Sequence, residues 1–138
     1  MTISARNKIA GSVASIKEGV VNASVIIETA NGDKISSTIT KESAKELGLA
    51  VGKEAIAVVK ASEVMIGIGE MKISARNQID CTVTDITEGM VNALVSLTAE
   101  GGSCLSSNIS MAAVKELGIE KGSKVKAVIK ATSVMVSV

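Results

Sequence analysis

Phe, Tyr and Trp are absent from this chain, and so are His and Pro. Each absence removes a class of function. Proteins that hold single-stranded nucleic acid stack the bases on aromatic rings, and no ring is available. Without His there is no Ser-His-Asp triad, no imidazole base and no His metal ligand. No phosphate-binding GxxxxGK and no dinucleotide-binding GxGxxG occurs. Cys81 and Cys104 have no second pair at zinc-like spacing. The formal net charge is only +1, which gives no basic stripe for a nucleic-acid backbone. No apolar run approaches the ~20 residues of a membrane helix. The N-terminus also lacks the charged and then apolar segments of a secretory signal. These absences point away from an enzyme, a nucleic-acid binder and a membrane protein. The expected compartment is the cytoplasm, where both cysteines read as reduced thiols, a bridge between them being the alternative.

What remains is rich in Val, Ile and Ala, within a hydrophobic share of 46%. β-branched residues suit a pleated, half-buried surface, and the lack of Pro leaves every strand free to lie inside a sheet. Ile3-Ser4-Ala5-Arg6-Asn7 returns as Ile73-Ser74-Ala75-Arg76-Asn77, an offset of 70 positions. On that offset 1–68 aligns with 71–138 without a gap, and about 30 positions are identical, well beyond chance. Two modules are expected, 1–68 and 71–138. Gly69-Glu70 forms the joint, too short for independent motion.

Each module reads as five strands and one short helix. Strand one runs from about Ile3 to Ile16, and strand two from about Val20 to Thr29 with Val21, Ala23, Val25 and Ile27 on one face. Asn31-Gly32 is a hairpin signal that leads into strand three through Ile35, Ser37 and Ile39. Thr40 is a candidate N-cap for a helix through Leu47, stopped by Gly48. Strand four covers about Lys53 to Lys60, and strand five about Val64 to Ile68. This order predicts an all-β fold of tandem OB-like five-stranded barrels. Strands four and five are apolar on both faces, which a module of this size cannot bury alone. The excess is expected between modules, within or between chains.

The polar clusters are rich in donors. Ser4 and Arg6 lie near the start of strand one, Thr40 and Ser43 at the helix cap, and Lys60 and Ser62 at the exit of strand four. Their counterparts are Ser74, Arg76, Ser110, Ala113, Lys130 and Thr132. Singly, Arg6 reads as a solvated charge, Thr40 as a cap and Lys60 as a strand-end charge. Together, and with Arg6 and Lys60 both repeated, they suit an anion that only accepts hydrogen bonds. Each charge-assisted bond contributes roughly 1.5–3 kcal/mol, and a micromolar complex needs about 8 kcal/mol. A handful of preorganised donors is therefore sufficient.

Ser-Ala-Arg-Asn, Gly-x-Val-Asn-Ala, Thr-x-x-Ser before a short helix and Lys-Ala-Ser-x-Val together resemble the Mop domain of molbindins, in its two-copy form. The resemblance implies storage or buffering of molybdate, or of tungstate, with no catalytic residue and no organic cofactor. It implies self-association as a homotrimer of two-module chains, with anion sites between modules. One donor set would be Ser4, Ala5 through its backbone, Arg6, Lys60, Ala61 and Ser62, joined by Thr40 and Ser43 of a neighbouring module. The second would be Ser74, Ala75, Arg76, Lys130, Ala131 and Thr132, with Ser110. A further site type near the three-fold axis would use Val20, Val21 and Asn22, and Met90, Val91 and Asn92. Because Ala113 replaces Ser43, sites on the Thr40/Ser43 edge are expected to bind more tightly. A molybdate-sensing module acting through a protein partner is the alternative. An OB-type nucleic-acid binder and a purely structural oligomer stand further off.

Overall fold

The computed structural model describes all 138 residues. The first repeat forms β1 (Asn7–Glu18), β2 (Asn22–Glu28), β3 (Lys34–Thr40), α1 (Lys41–Glu46), β4 (Glu54–Val59) and β5 (Met65–Gly67). The second forms β6 (Asn77–Glu88), β7 (Asn92–Ala99), β8 (Cys104–Ser110), α2 (Met111–Leu117), β9 (Lys124–Ile129) and β10 (Met135–Ser137). Single 3-10 turns, Ala61–Glu63 and Ala131–Ser133, precede β5 and β10. Neither helix is long and apolar enough to cross a membrane.

The local elements follow from the residues. Val25 and Ile27 alternate with the half-buried Ser24, Ile26 and Glu28 along β2, as a sheet with one packed face requires. The Asn31-Gly32 hairpin closes with the Gly32 N–H on the Thr29 carbonyl at 3.1 Å. Gly32 takes φ +93°, which only glycine adopts freely. Thr40 caps α1, its Oγ1 accepting from the Ser43 N–H at 3.0 Å. At the other end the Leu49 N–H returns to the Ala44 carbonyl at 3.0 Å, with Gly48 at φ +63°. β1 and β6 each carry a register shift, between Val13 and Ser15 and between Val83 and Asp85. Such a bulge bends a long strand, so that one strand pairs with β2 on one side and β4 on the other.

Two expectations are corrected. Ile3 to Arg6 precede the first strand, which opens at Asn7. More consequentially, the five strands of a repeat do not all pair with one another. The sheet orders are β10-β4-β1-β2-β3 and β5-β9-β6-β7-β8. Each repeat sends its last strand into the other repeat's sheet: Met135 pairs with Val58, and Met65 with Val128. The joint suits this pairing. From β5 the chain reaches β6 through residues 68–76, and both strands flank β9.

The exchange unites the two halves. One apolar cluster of 22 buried residues draws on both repeats, from Ile9 and Val25 to Val95 and Ile129. The two-sided burial expected of strand four is met here: Ala57, Val58 and Val59 are all buried, as are Ala127, Val128 and Ile129. The excess of strand four is absorbed inside the chain, whereas the last strands keep Met65 and Met135 exposed. Val20, Val21, Met90 and Val91 also stay exposed, in the β1–β2 and β6–β7 turns.

Candidate oxyanion site

The loop before β6 and the end of β9 meet because of strand register. Asn77 lies opposite Ile129, so one step outward Arg76 stands across from Lys130. Ala75 and Ala131 are buried and pin the two segments, while Ser74, Arg76, Lys130 and Thr132 remain exposed. The 3-10 turn Ala131–Ser133 redirects the chain immediately after Lys130. Together these residues line a cavity of about 350 Å³ with Thr38 and Met65. Thr38 comes from β3 of the other sheet, so the cavity lies on the seam between the repeats.

Its chemistry is one-sided. Its lining contains an Arg, a Lys, a Ser and two Thr, and no carboxylate. The chain's three salt bridges are Lys34 with Glu28, Lys41 with Glu18 and Lys126 with Asp80. Arg6, Arg76, Lys60 and Lys130 therefore have no acidic partner and are free to donate. A larger groove of about 770 Å³ runs along β6, β7 and β9, but Glu70, Asp80 and Glu100 line it beside Lys124 and Lys126. Three carboxylates in the wall oppose an anion, so the smaller cavity is the better candidate.

The first repeat repeats the geometry. Asn7 lies opposite Val59, which sets Arg6 across from Lys60. Ser4 and Ser62 are exposed and Ala5 and Ala61 buried at the matching positions. The position matching Thr38 is Asn108 on β8.

The other expected site residues lie apart from these clusters within the chain. Thr40 and Ser43 are at the tip of α1, where Thr40 Oγ1 also donates to Ser43 Oγ at 2.8 Å. Ser110 caps α2 by accepting from the Ala113 N–H at 3.0 Å. Neither cap lines the Arg76 cavity. Both adjoin the strand-one turns instead: the Lys41 N–H donates to the Val21 carbonyl, and the Met111 N–H to the Val91 carbonyl, each at 2.8 Å. Val20, Val21 and Asn22, like Met90, Val91 and Asn92, form exposed turns closed by the Gly19 and Gly89 N–H groups. Val20 is 95% exposed and Met90 99% exposed, an orientation that water does not favour for such side chains.

Sequence reasoning missed Thr38, Met65 and the two asparagines that follow the arginines. Asn7 and Asn77 are buried polar groups, and the only signal for them was their place in the repeated pentapeptide.

The TOBE domain model matches residues 3–66 and again residues 73–136. The chain belongs to the TOBE-domain family, in the tandem form of the molbindins. The molybdenum transport protein ModE of Herbaspirillum seropedicae is 37% identical over 140 residues, covering all of this chain and 52% of that protein. The probable molybdenum-pterin-binding protein of Haemophilus influenzae, a single-domain relative, is 57% identical over 68 residues, 49% of this chain and 99% of that one. The solved structure of the cytoplasmic molybdate-binding protein ModG, with molybdate bound, superposes with a TM-score of 0.96 at 46% identity. It covers 100% of this chain and 99% of that chain. The chain spans about half the length of the ModE relatives it matches.

Proposed function

We propose that this tandem TOBE chain binds molybdate, or its analogue tungstate, without catalysis, and serves in the cytoplasm as a store or buffer. The observation that carries the reading is the seam cavity. Its Arg76, Lys130, Ser74 and Thr132 are hydrogen-bond donors in a lining that holds no carboxylate, and a doubly charged tetrahedral oxyanion offers only acceptors. The similarity to a molybdate-loaded ModG over the whole chain supports molybdate as the guest. Self-association as a homotrimer would bring the Thr40/Ser43 edge of one chain against an Arg/Lys set of the next. It would also cover the exposed Val20–Val21 and Met90–Val91 turns, beside which the second site type would lie, near the three-fold axis. A sensing module acting through a protein partner is the second reading. It is favoured by the match to half of a ModE protein.

Calorimetric titration with molybdate, tungstate and sulfate, with mass measured in solution, tests the proposal. Arg76→Ala removes one charge-assisted donor, worth roughly 1.5–3 kcal/mol, and is expected to weaken molybdate at its sites about ten- to a hundredfold. Assembly should be intact. Unchanged affinity in that variant, or no binding by the intact chain, would refute the oxyanion reading. A pull-down that gains a protein partner only with molybdate present would favour sensing over storage.

A further inference from the structure

Asn7 and Asn77 are 2% and 4% exposed, and each directly follows a candidate ligand arginine. Their amides do not face the cavity. The Asn77 Nδ2 donates to the Ser36 carbonyl, and the Ser36 N–H donates back to Asn77 Oδ1, both at 2.8 Å. Asn7 does the same across the molecule. Its Nδ2 donates to the Ser106 carbonyl at 2.8 Å, and its Oδ1 accepts from the Ser106 N–H at 2.7 Å.

β3 and β8 are the end strands of their sheets, so their outer peptide groups have no strand to pair with. A side-chain amide carries one acceptor and a donor group in a plane, which matches the peptide group it replaces. Each asparagine thus stands in for a missing strand neighbour and ties one repeat's arginine loop to the other repeat's end strand. Ser36 is two residues before Thr38, the wall of the Arg76 cavity supplied from across the seam. Next to this tie the Ser37 hydroxyl donates to the Val134 carbonyl at 2.5 Å, just beyond the Lys130–Thr132 segment. Ser107 makes the equivalent bond to the Val64 carbonyl.

We propose that Asn77 and Asn7 are positioning residues, each setting the distance between one arginine and the wall that the opposite repeat contributes to its anion site. Asn77 serves the Arg76 site, and Asn7 the Arg6 site. The proposal rests on the oxyanion reading above. The residue must be neutral as well as forked, because a carboxylate at this point would set a negative charge beside the guest.

The pseudo-symmetry provides the test. Asn77→Ala and Asn7→Ala are each combined with Arg6→Ala, which leaves the Arg76 sites, and with Arg76→Ala, which leaves the Arg6 sites. Molybdate is titrated by calorimetry. The matched pairs, Asn77→Ala with Arg6→Ala and Asn7→Ala with Arg76→Ala, should lose about ten- to a hundredfold in affinity, the range seen when groups that orient ligands are removed. The crossed pairs should lose far less. Equal losses in matched and crossed pairs, or none in either, would overturn the assignment while leaving molybdate binding by the intact chain untouched. If the alanine variants do not fold, the intact chain still decides. The Asn7 and Asn77 side-chain amide resonances should shift as molybdate is added, and resonances that stay fixed to saturation would overturn it.

Discussion

Exchange of the last strands makes an unusual prediction: a substitution near the C-terminus should loosen the N-terminal sheet. Val134 is 1% exposed and immediately precedes β10, which pairs with β4. Val134→Ala removes two methyl groups. At about 0.8 kcal/mol for each CH₂-sized group the transfer loss is about 1.6 kcal/mol, and the cavity left behind raises it to about 2–3 kcal/mol. That is a large share of the roughly 5–15 kcal/mol stabilising an ordinary domain. The Ser37 bond uses the Val134 backbone and survives the change, so the loss should stay local to packing. Amide hydrogen exchange read by mass spectrometry should show protection falling first in β3 and β4, around Ser37 and from Ile56 to Val58. Val64 is the matching residue, also 1% exposed, ahead of the strand that pairs with β9. Val64→Ala should therefore loosen β8 and β9, although it lies in the first repeat. If each substitution instead loosened only the sheet formed mainly by its own repeat, the reasoning from strand exchange would fail.

Acid should loosen one tie between the repeats. Asp33 is partly buried, which by itself would raise its pKa, but bonds from the Ser103 hydroxyl and from the Gly101 and Ser103 N–H groups outweigh this and hold it below the usual carboxylate value. A depressed folded-state pKa adds stability that is present above the unfolded value of about 3.9 and is lost as pH falls through the folded one. Urea midpoints should therefore drop in strong acid, and Asp33→Asn should flatten that part of the profile; an unchanged slope would dismiss the tie. The two thiols should label differently. Burial pushes Cys81 up to about 11, whereas Cys104 is exposed and free, so a thiol reagent at neutral pH should modify Cys104 in the native chain and reach Cys81 only on unfolding. Peptide mapping that found Cys81 labelled first would contradict the fold. Finally, Thr40 and Ser43 offer two hydroxyls where the second repeat keeps Ser110 and has Ala113, so calorimetry should resolve two classes of molybdate site; a single class would count against that edge taking part.

Much of this molecule is written locally. The hairpin at Asn31-Gly32, the cap at Thr40 and the turn-off at Gly48 each depend on residues within a few positions of one another, so they read directly from the chain. The duplicated pentapeptide and the repeated Arg and Lys also declared themselves, because a repeat is visible before any fold is known. Strand exchange did not. Val64-Met65 and Val134-Met135 are the same dipeptide and make the same ladder bonds against Val128 or Val58, so residue preference is silent about which barrel receives which strand. That choice is made only when the two sheets pack together, with residues 68–76 joining two strands that both flank β9. Thr38 entered the cavity for the same reason, since a neighbour nearly a hundred positions from Lys130 becomes one only after the sheets have traded ends. The asparagines show the limit most plainly: an amide is surface-like by composition, and its burial becomes tolerable only where an unpaired strand edge arrives to satisfy it.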